Sequence, residues 1–231
     1  MSIVKVLDKG EVELIDTLGT DLTVVNSARV SFGHRKKKLD QKDKDLMRYL
    51  AKNKHWSPFR HIFLQLRLKL PEFVCRQFYK HIIGIEATST YPTQIHGFNE
   101  ISGRYKPVED YYYPEEWRAQ SEDNKQASEG VVSDQKIATA HFESAMDSAL
   151  HHYKKLLDLG VAKEQARIIL PLNQYTEVYW TASFQAIINF IELRDHDHAQ
   201  LEIREYAKIL GEILSNKFPE TYKAWFRRDD A

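Results

Sequence analysis

The 231-residue sequence contains a single cysteine, carries no net charge and has no long apolar run. The single cysteine, Cys75, excludes an intrachain disulfide. Because the N-terminus also does not resemble a signal peptide, we expect a cytoplasmic protein. No run of about 18 apolar residues is present, so we predict no membrane-spanning helix. The 33 basic and 33 acidic residues cancel, and this neutrality argues against a dedicated nucleic-acid binder.

Hydrophobic patterns predict one α+β domain over residues 1–231. In residues 62–70, four leucines alternate with polar residues, as in a strand of an antiparallel sheet that is covered on one side. Strand patterns are concentrated in the first half of the chain and helix patterns in the second. We therefore expect an antiparallel sheet covered by helices, with a mostly helical C-terminal half.

Local signals set the expected bounds of the elements. Strands are expected at residues 3–7, 12–18, 62–70 and 176–182. Helices are expected at residues 22–30, 41–53, 71–80, 135–159, 163–170, 184–194 and 199–216. Asp21, Ser183 and Asp197 are the expected N-caps, Gly160 a C-terminal stop, and the last helix should end before Pro219. Residues 84–97 are predicted to form a long loop, and residues 107–132 a surface excursion.

Residues 99–105 (Asn-Glu-Ile-Ser-Gly-Arg-Tyr) have the composition of an anion-binding turn. Gly103 allows a close backbone approach, Ser102 offers a hydroxyl and Arg104 a forked cationic donor. Glu100 is suited to orient a ligand hydroxyl. Taken alone, the same residues are more typical of an ordinary polar turn.

Three further segments carry isolated polar residues. Gln77 and His81 are four residues apart and share a helix face, which is either a ligand site or a solvated face. Arg167 lies in an apolar run, and a buried arginine needs either a core carboxylate or a ligand phosphate. Arg194 ends its helix, either as a cap for the last carbonyls or as a ligand contact.

Two features are predicted not to carry chemistry. Residues 195–198 (Asp-His-Asp-His) resemble a metal cluster, but the alternation separates His196 from His198, so we predict no metal site. Cys75 lies inside a helix with no neighbouring histidine and is predicted to serve packing.

Five blocks then occur in an order that resembles the flavin-dependent thymidylate synthases. They are His-Trp-Ser-Pro-Phe at 55–59, Phe-Val-Cys-Arg-Gln at 73–77, residues 99–105, Ala-Arg-Ile-Ile-Leu-Pro at 166–171 and Asn-Phe-Ile-Glu-Leu-Arg at 189–194. The resemblance extends from about Val6 to near Phe218, which is nearly the whole chain.

The resemblance implies an enzyme that methylates deoxyuridine monophosphate to thymidylate. Methylenetetrahydrofolate would donate the carbon, and FAD reduced by NADPH would carry the hydride. A homotetramer with sites between subunits is implied, with no nucleic acid and no membrane as partner. Arg194 would be the catalytic residue, because a fixed cation stabilises the charge that develops on the uracil ring.

The other site residues are also implied by the resemblance. Nucleotide contacts would come from Gln77, Lys80, Glu100, Ile101, Ser102, Gly103, Arg104 and Arg167. Flavin contacts would come from Ser57, Lys80, His81, Ile82, Glu100, Ser183, Gln185, Asn189 and His198.

The sequence departs from the family pattern at one point. The family signature is Arg-His-Arg, seven residues, then Ser, whereas Lys80-His81-Ile82 stands here and residues 83–101 precede Ser102. The longer segment contains Glu86, Tyr91 and His96, one of which would replace a lost contact, unless the segment only lengthens a lid. Two other classes stay open: a nucleotide-binding protein without catalysis, and a nucleic-acid binder that uses the basic run at 35–38.

Overall fold

A five-stranded antiparallel sheet lies at the centre of the computed structural model, which describes residues 3–79, 81, 97–105, 109–125 and 127–226. The strands are β1 (Val4–Val6), β2 (Gly10–Leu18), β3 (Phe63–Pro71), β4 (Gly97–Glu100), β5 (Arg118–Gln120), β6 (Ser128–Val131) and β7 (Tyr175–Ser183). The main sheet has the order β1-β2-β3-β7-β4, and β5 pairs with β6 separately.

The central strand, β3, follows the predicted alternation. Its four leucines are fully buried, and Leu66 pairs with Leu14 on one side and Trp180 on the other. The opposite face is polar: Arg67 donates to Glu13 at 3.4 Å and also to Glu177. The predicted one-sided sheet is therefore confirmed.

Eight helices are present in the described part of the chain. They are α1 (Asp21–Arg29), α2 (Gln41–Lys52), α3 (Glu72–Phe78), α4 (Gln135–Asp158), α5 (Lys163–Ala166), α6 (Phe184–Arg194), α7 (Leu201–Lys217) and α8 (Pro219–Phe226). In α6 the predicted apolar stripe, which includes Phe184 and Ile188, is buried. The α+β class with a mostly helical C-terminal half is confirmed. None of the described helices is both long and apolar enough to cross a membrane.

Two predicted helix ends are confirmed by their backbone geometry. Ser183 caps α6, because its hydroxyl accepts a hydrogen bond from the Ala186 amide at 3.3 Å. Gly160 ends α4 with a φ of 81°, and the Val161 amide donates back to the Leu156 carbonyl at 3.0 Å.

The predicted role of Asp21 was wrong. Thr20 caps α1, and Asp21 is a buried residue of the first turn. Its carboxylate instead accepts hydrogen bonds from the amides of Glu220 and Thr221, at 3.2 and 2.9 Å, and from the Thr221 hydroxyl at 2.6 Å. Asp21 thus caps α8, a helix that was not predicted, and Pro219 begins that helix.

Other boundaries also differ from the sequence predictions. Pro71 is the last residue of β3 and the N-cap of α3, which ends at Phe78. The expected helix at 163–170 divides into α5 and a 3-10 turn, Arg167–Ile169. Gln200, rather than Asp197, is the N-cap of α7. Residues 84–96 of the expected long loop lie outside the described residues, and Gly97 begins β4.

Candidate active site

A cavity of about 670 Å³ lies where β4 leaves the sheet. The Ile101 amide still donates to the Glu177 carbonyl of β7 at 2.9 Å, and the chain then turns, with the Tyr105 amide donating to the Ser102 carbonyl at 3.0 Å. The cavity is lined by Glu72, Arg76, Glu100, Ile101, Ser102, Gly103, Arg104, Tyr153, Glu164, Arg167, Ile168, Leu170, Pro171, Leu172, Gln174 and Thr176. The structure therefore brings six of the eight predicted nucleotide contacts together.

Three arginines line this cavity together with Glu72, Glu100 and Glu164, but form no salt bridge with them. Among the described residues, no carboxylate lies within 4.0 Å of the guanidinium groups of Arg76, Arg104 or Arg167. Arg104 is tied to the turn instead, because its backbone amide and its Nε donate to the Ser102 hydroxyl at 3.3 and 3.4 Å. Unpaired guanidinium groups that converge on a cavity are suited to bind a phosphate.

The expectation that Arg167 is buried was wrong. It is exposed and begins the 3-10 turn, and the neighbouring Ile168 is 77% exposed. Arg167 faces Gly103 closely: its Nη1 atom would lie 3.9 Å from a Cβ added to that glycine. The bare backbone at Gly103 leaves room beside the guanidinium for a ligand.

Glu100 is fixed at the cavity wall by two hydroxyl groups. Thr176 Oγ1 donates to one carboxylate oxygen at 2.6 Å, and the Tyr79 hydroxyl donates to the other. Glu72 lies nearby, and burial together with the Glu100 charge raises the pKa of its carboxyl above the usual value. Sequence reasoning missed Glu72, Tyr79 and Thr176 as site residues. Only Glu72 and Tyr79 carried a signal, since they flank the Phe-Val-Cys-Arg-Gln block.

Two hydrogen-bonded pairs hold Gln77, His81 and Arg194, the last of which ends α6. Arg194 Nε donates to His81 Nε2 at 3.0 Å, and Gln77 Nε2 donates to Gln200 Oε1 at 2.7 Å. Burial and the Arg194 charge lower the pKa of His81 to about 4, so the imidazole is neutral and can accept this hydrogen bond. Burial also lowers the pKa of Arg194. Gln200 was not predicted. Within one chain, Gln77, His81 and Arg194 do not line the cavity.

The predicted flavin contacts follow α6 from its first turn. Ser183 and Gln185 are buried, Asn189 is half-buried, and Gln185 Oε1 accepts from Arg60 Nε at 2.5 Å. Arg194 lies nine positions after Gln185 on α6, so the two residues are about 13 Å apart along the helix axis.

The remaining predicted flavin contacts are either exposed on the surface or lie outside the described residues. Ser57 is exposed at the start of a 3-10 turn, Ser57–His61. His198 is exposed, with Nδ1 3.5 Å from Asn124 Nδ2. Lys80 and Ile82 lie outside the described residues, as do the candidate replacements Glu86, Tyr91 and His96.

Two further features bear on possible chemistry. Within the described ranges, no group of three or more histidine, cysteine, aspartate or glutamate side chains is arranged to hold a metal ion. Cys75 is fully buried, and burial raises the pKa of its thiol to about 12. The prediction that Cys75 serves packing is confirmed.

Comparison with known proteins agrees with this arrangement. Residues 13–220 match the family described as "Thymidylate synthase complementing protein". A flavin-dependent thymidylate synthase of Thermosipho africanus is 38% identical over 96% of this chain and 93% of that protein. One from Thermus thermophilus is 40% identical over 96% of this chain and 77% of that protein. The crystal structure of the UMP/dUMP methylase PolB of Streptomyces cacaoi, bound with 5-Br dUMP, superposes with a TM-score of 0.82 and 28% identity, covering 96% and 97% of the two chains.

The α+β fold, the arginine-lined cavity and the similarity to a UMP/dUMP methylase identify a nucleotide-modifying enzyme. The chain belongs to the flavin-dependent thymidylate synthases, and the predicted family and enzyme class are confirmed.

Proposed function

We propose that the cavity binds deoxyuridine monophosphate with its phosphate between Arg76, Arg104 and Arg167. The observation that carries this assignment is that, among the described residues, none of these three guanidinium groups forms a salt bridge within 4.0 Å. Guanidinium groups pair with phosphate through parallel hydrogen bonds, so these side chains are available to a phosphate in that way. Gly103 adds space next to Arg167. The activity of the chain is methylation of this nucleotide to thymidylate.

Arg194 is proposed to act on the uracil ring. A guanidinium stays protonated, so it stabilises negative charge on the ring electrostatically and does not remove a proton. Neutral His81 accepts from Nε at 3.0 Å and so fixes the orientation of the guanidinium without competing for its charge. No described residue bonds to the terminal nitrogens of Arg194, so these atoms are proposed to meet the ring.

FAD is proposed to lie along α6. The hydroxyl of Ser57, the amide of Asn189 and the guanidinium of Arg60 offer donors that fit the polar chain of a flavin dinucleotide. Arg60 is held by Gln185 and has no carboxylate partner within 4.0 Å in the described part of the chain, so its charge is available to a diphosphate. When bound, the flavin supplies the hydride that completes the methyl group.

NADPH and methylenetetrahydrofolate are proposed as co-substrates, as the sequence resemblance implies. NADPH would reduce the flavin, and methylenetetrahydrofolate would supply the one-carbon unit. The reaction then balances: the carbon and its two hydrogens come from the folate, which leaves as tetrahydrofolate, the third hydrogen comes as a hydride from the reduced flavin, and the ring carbon loses its proton.

We also propose that the active protein is a homotetramer with sites shared between subunits. Two features support this: Arg194 does not line the cavity of its own chain, and large apolar side chains near the cavity and Arg194 are exposed. Ile168 is 77% exposed and Leu193 52% exposed. Moreover, α4 has 24 residues but buries only Met146, so most of this helix is available to a second copy.

The assignment of activity is tested by thymidylate formation from deoxyuridine monophosphate. The complete mixture with FAD, NADPH and methylenetetrahydrofolate should form thymidylate, and omission of any one component should stop it. A colourless protein that binds the nucleotide but never FAD would instead indicate a nucleotide-binding protein without catalysis.

Native mass spectrometry and mixing of inactive variants test the shared site. Arg104→Ala and Arg194→Ala chains, each inactive alone, should regain part of the activity when they are co-assembled, because some sites then receive both intact residues. An active monomer, or mixtures that stay inactive despite co-assembly, would contradict sites shared between subunits.

A further inference from the structure

The Glu100 carboxylate is oriented by two elements that are distant in sequence. Thr176 lies in β7 and donates to Oε1 at 2.6 Å, whereas Tyr79 is the C-cap of α3 and donates to Oε2. A carboxylate has about four acceptor sites, so these two hydrogen bonds and the contact with the Glu72 carboxyl still leave one for a ligand. With both oxygens held, the plane of the carboxylate is fixed relative to the cavity.

Tyr79 is itself held by contacts that do not involve Glu100. Its ring packs on Phe98 of β4 with centroids 4.7 Å apart, and its amide donates to the Cys75 carbonyl at 3.1 Å. Burial and the hydrogen bond to Glu100 raise the pKa of the Tyr79 hydroxyl, so this group remains a donor. The ring contact and the hydroxyl contact can therefore be separated by substitution.

The two hydroxyl donors also hold Glu100 in place next to a second acidic residue, Glu72. Glu72 faces Glu100 across the cavity wall, and Arg76 and Arg167 are the cations that interact with Glu72. When both carboxyls are ionised, Glu72 repels Glu100, and the two hydroxyl donors oppose a displacement of the Glu100 carboxylate.

We propose that Tyr79 and Thr176 are positioning residues that orient Glu100 to accept a hydrogen bond from a sugar hydroxyl of the bound nucleotide. The inference rests on the proposed binding of deoxyuridine monophosphate in this cavity. It adds to that function two residues that act on the ligand only through Glu100.

The test is a double-mutant cycle on the dissociation constant of deoxyuridine monophosphate, measured by calorimetry on protein saturated with FAD. Tyr79→Phe keeps the ring on Phe98 and removes the hydroxyl, and Thr176→Val removes the other donor at similar volume. Each should raise the dissociation constant about three- to tenfold. In a Glu100→Ala background neither change should have a further effect, because the group through which they act is gone.

Tyr112→Phe is the matched control. The Tyr112 hydroxyl donates to Glu202 at 3.1 Å, and neither residue lines the cavity. This variant loses the same kind of bond, so its melting temperature should fall, but nucleotide affinity should stay that of the wild type.

The outcomes separate the inference from the function on which it rests. Equal weakening by Tyr79→Phe in the wild-type and Glu100→Ala backgrounds, or no weakening at all, overturns the positioning role. If Tyr79→Phe does not fold, Thr176→Val completes the cycle alone. Failure of the wild-type protein to bind deoxyuridine monophosphate would instead overturn the proposed function.

Discussion

Replacement of Arg194 by alanine should remove most of the methylation activity and leave FAD bound. The side chain is half-buried, and its Nε is engaged by a neutral imidazole at 3.0 Å. A positioned donor of this kind stabilises a developing oxyanion by about 2.7–4 kcal/mol, so kcat should fall by about 10²–10³. FAD should remain because Arg194 is not one of the predicted flavin contacts, and those on α6, Gln185 and Asn189, lie nine and five residues before it.

Two variants separate the charge of Arg194 from its orientation. Arg194→Lys keeps a cation but lacks the planar fork, so it should recover only part of the rate. His81→Phe keeps a ring against Phe190, where the centroids are 4.9 Å apart, but removes the acceptor. One lost hydrogen bond to a charged group predicts a fall in kcat of roughly tenfold.

The assay is single-turnover thymidylate formation at saturating nucleotide, with flavin absorbance as the measure of bound FAD. Arg48→Ala is the control, since Arg48 pairs with Asp45 on an exposed face of α2. Full activity of Arg194→Ala would refute the electrostatic role. Loss of FAD together with activity would show that Arg194 supports the flavin and not the ring.

Four further predictions follow from single contacts. Asp21→Ala should lower the free energy of unfolding by about 2–4 kcal/mol in urea titrations, because α8 loses its cap, and Asp21→Asn should lose less. Glu72→Gln should raise the melting temperature at pH 8, because the raised pKa of Glu72 means that its ionised form destabilises the fold. This gain should vanish as the pH falls to about 4, where the carboxyl becomes protonated in both the folded and the unfolded chain. Gly103→Ala should raise the nucleotide dissociation constant roughly tenfold, because the added methyl group occupies space beside Arg167. The melting temperature should not change, since the new Cβ would lie 3.8 Å from Arg167, an ordinary contact distance. Gly97→Ala is the control, because its Cβ would have similar room, 3.7 Å from Thr181. Because the folded-state pKa of His81 is about 4, acidification should reduce stability from about pH 6.5 down to pH 4, and His81→Phe should remove that part of the pH dependence.

Local sequence signals predicted those parts of the fold that local chemistry determines. The alternation in β3, the cap at Ser183 and the stop at Gly160 depend on residues within one or two turns of each other, and all three are confirmed. Asp21 could not be assigned in this way. Its partner Thr221 is 200 positions away, so only the tertiary fold shows which helix the carboxylate caps.

The short strand β4 was missed, and Arg167 was wrongly expected to be buried, for a related reason. Gly97–Glu100 has no strong strand pattern, and it becomes a strand only because β7 offers a free edge. The apolar neighbours of Arg167 suggested burial, yet Ile168 and Ile169 are 77% and 39% exposed. An apolar run predicts that a surface is covered, but it does not say whether the cover is this chain or a second copy.

The arginines show most clearly what the structure adds to the sequence. Arg67 and Arg118 look no different in sequence from Arg104 and Arg167, but Arg118 donates to both oxygens of buried Glu202 at 2.8 and 3.0 Å. Such a guanidinium is satisfied within the fold, and replacing it would mainly affect stability. Arg167, in contrast, faces the cavity and forms no salt bridge with a described carboxylate, so it contributes little to the stability of the ligand-free protein and gains a direct partner when an anion binds. The distinction between a structural and a functional arginine therefore depends on its partners, which the order of residues along the chain does not reveal.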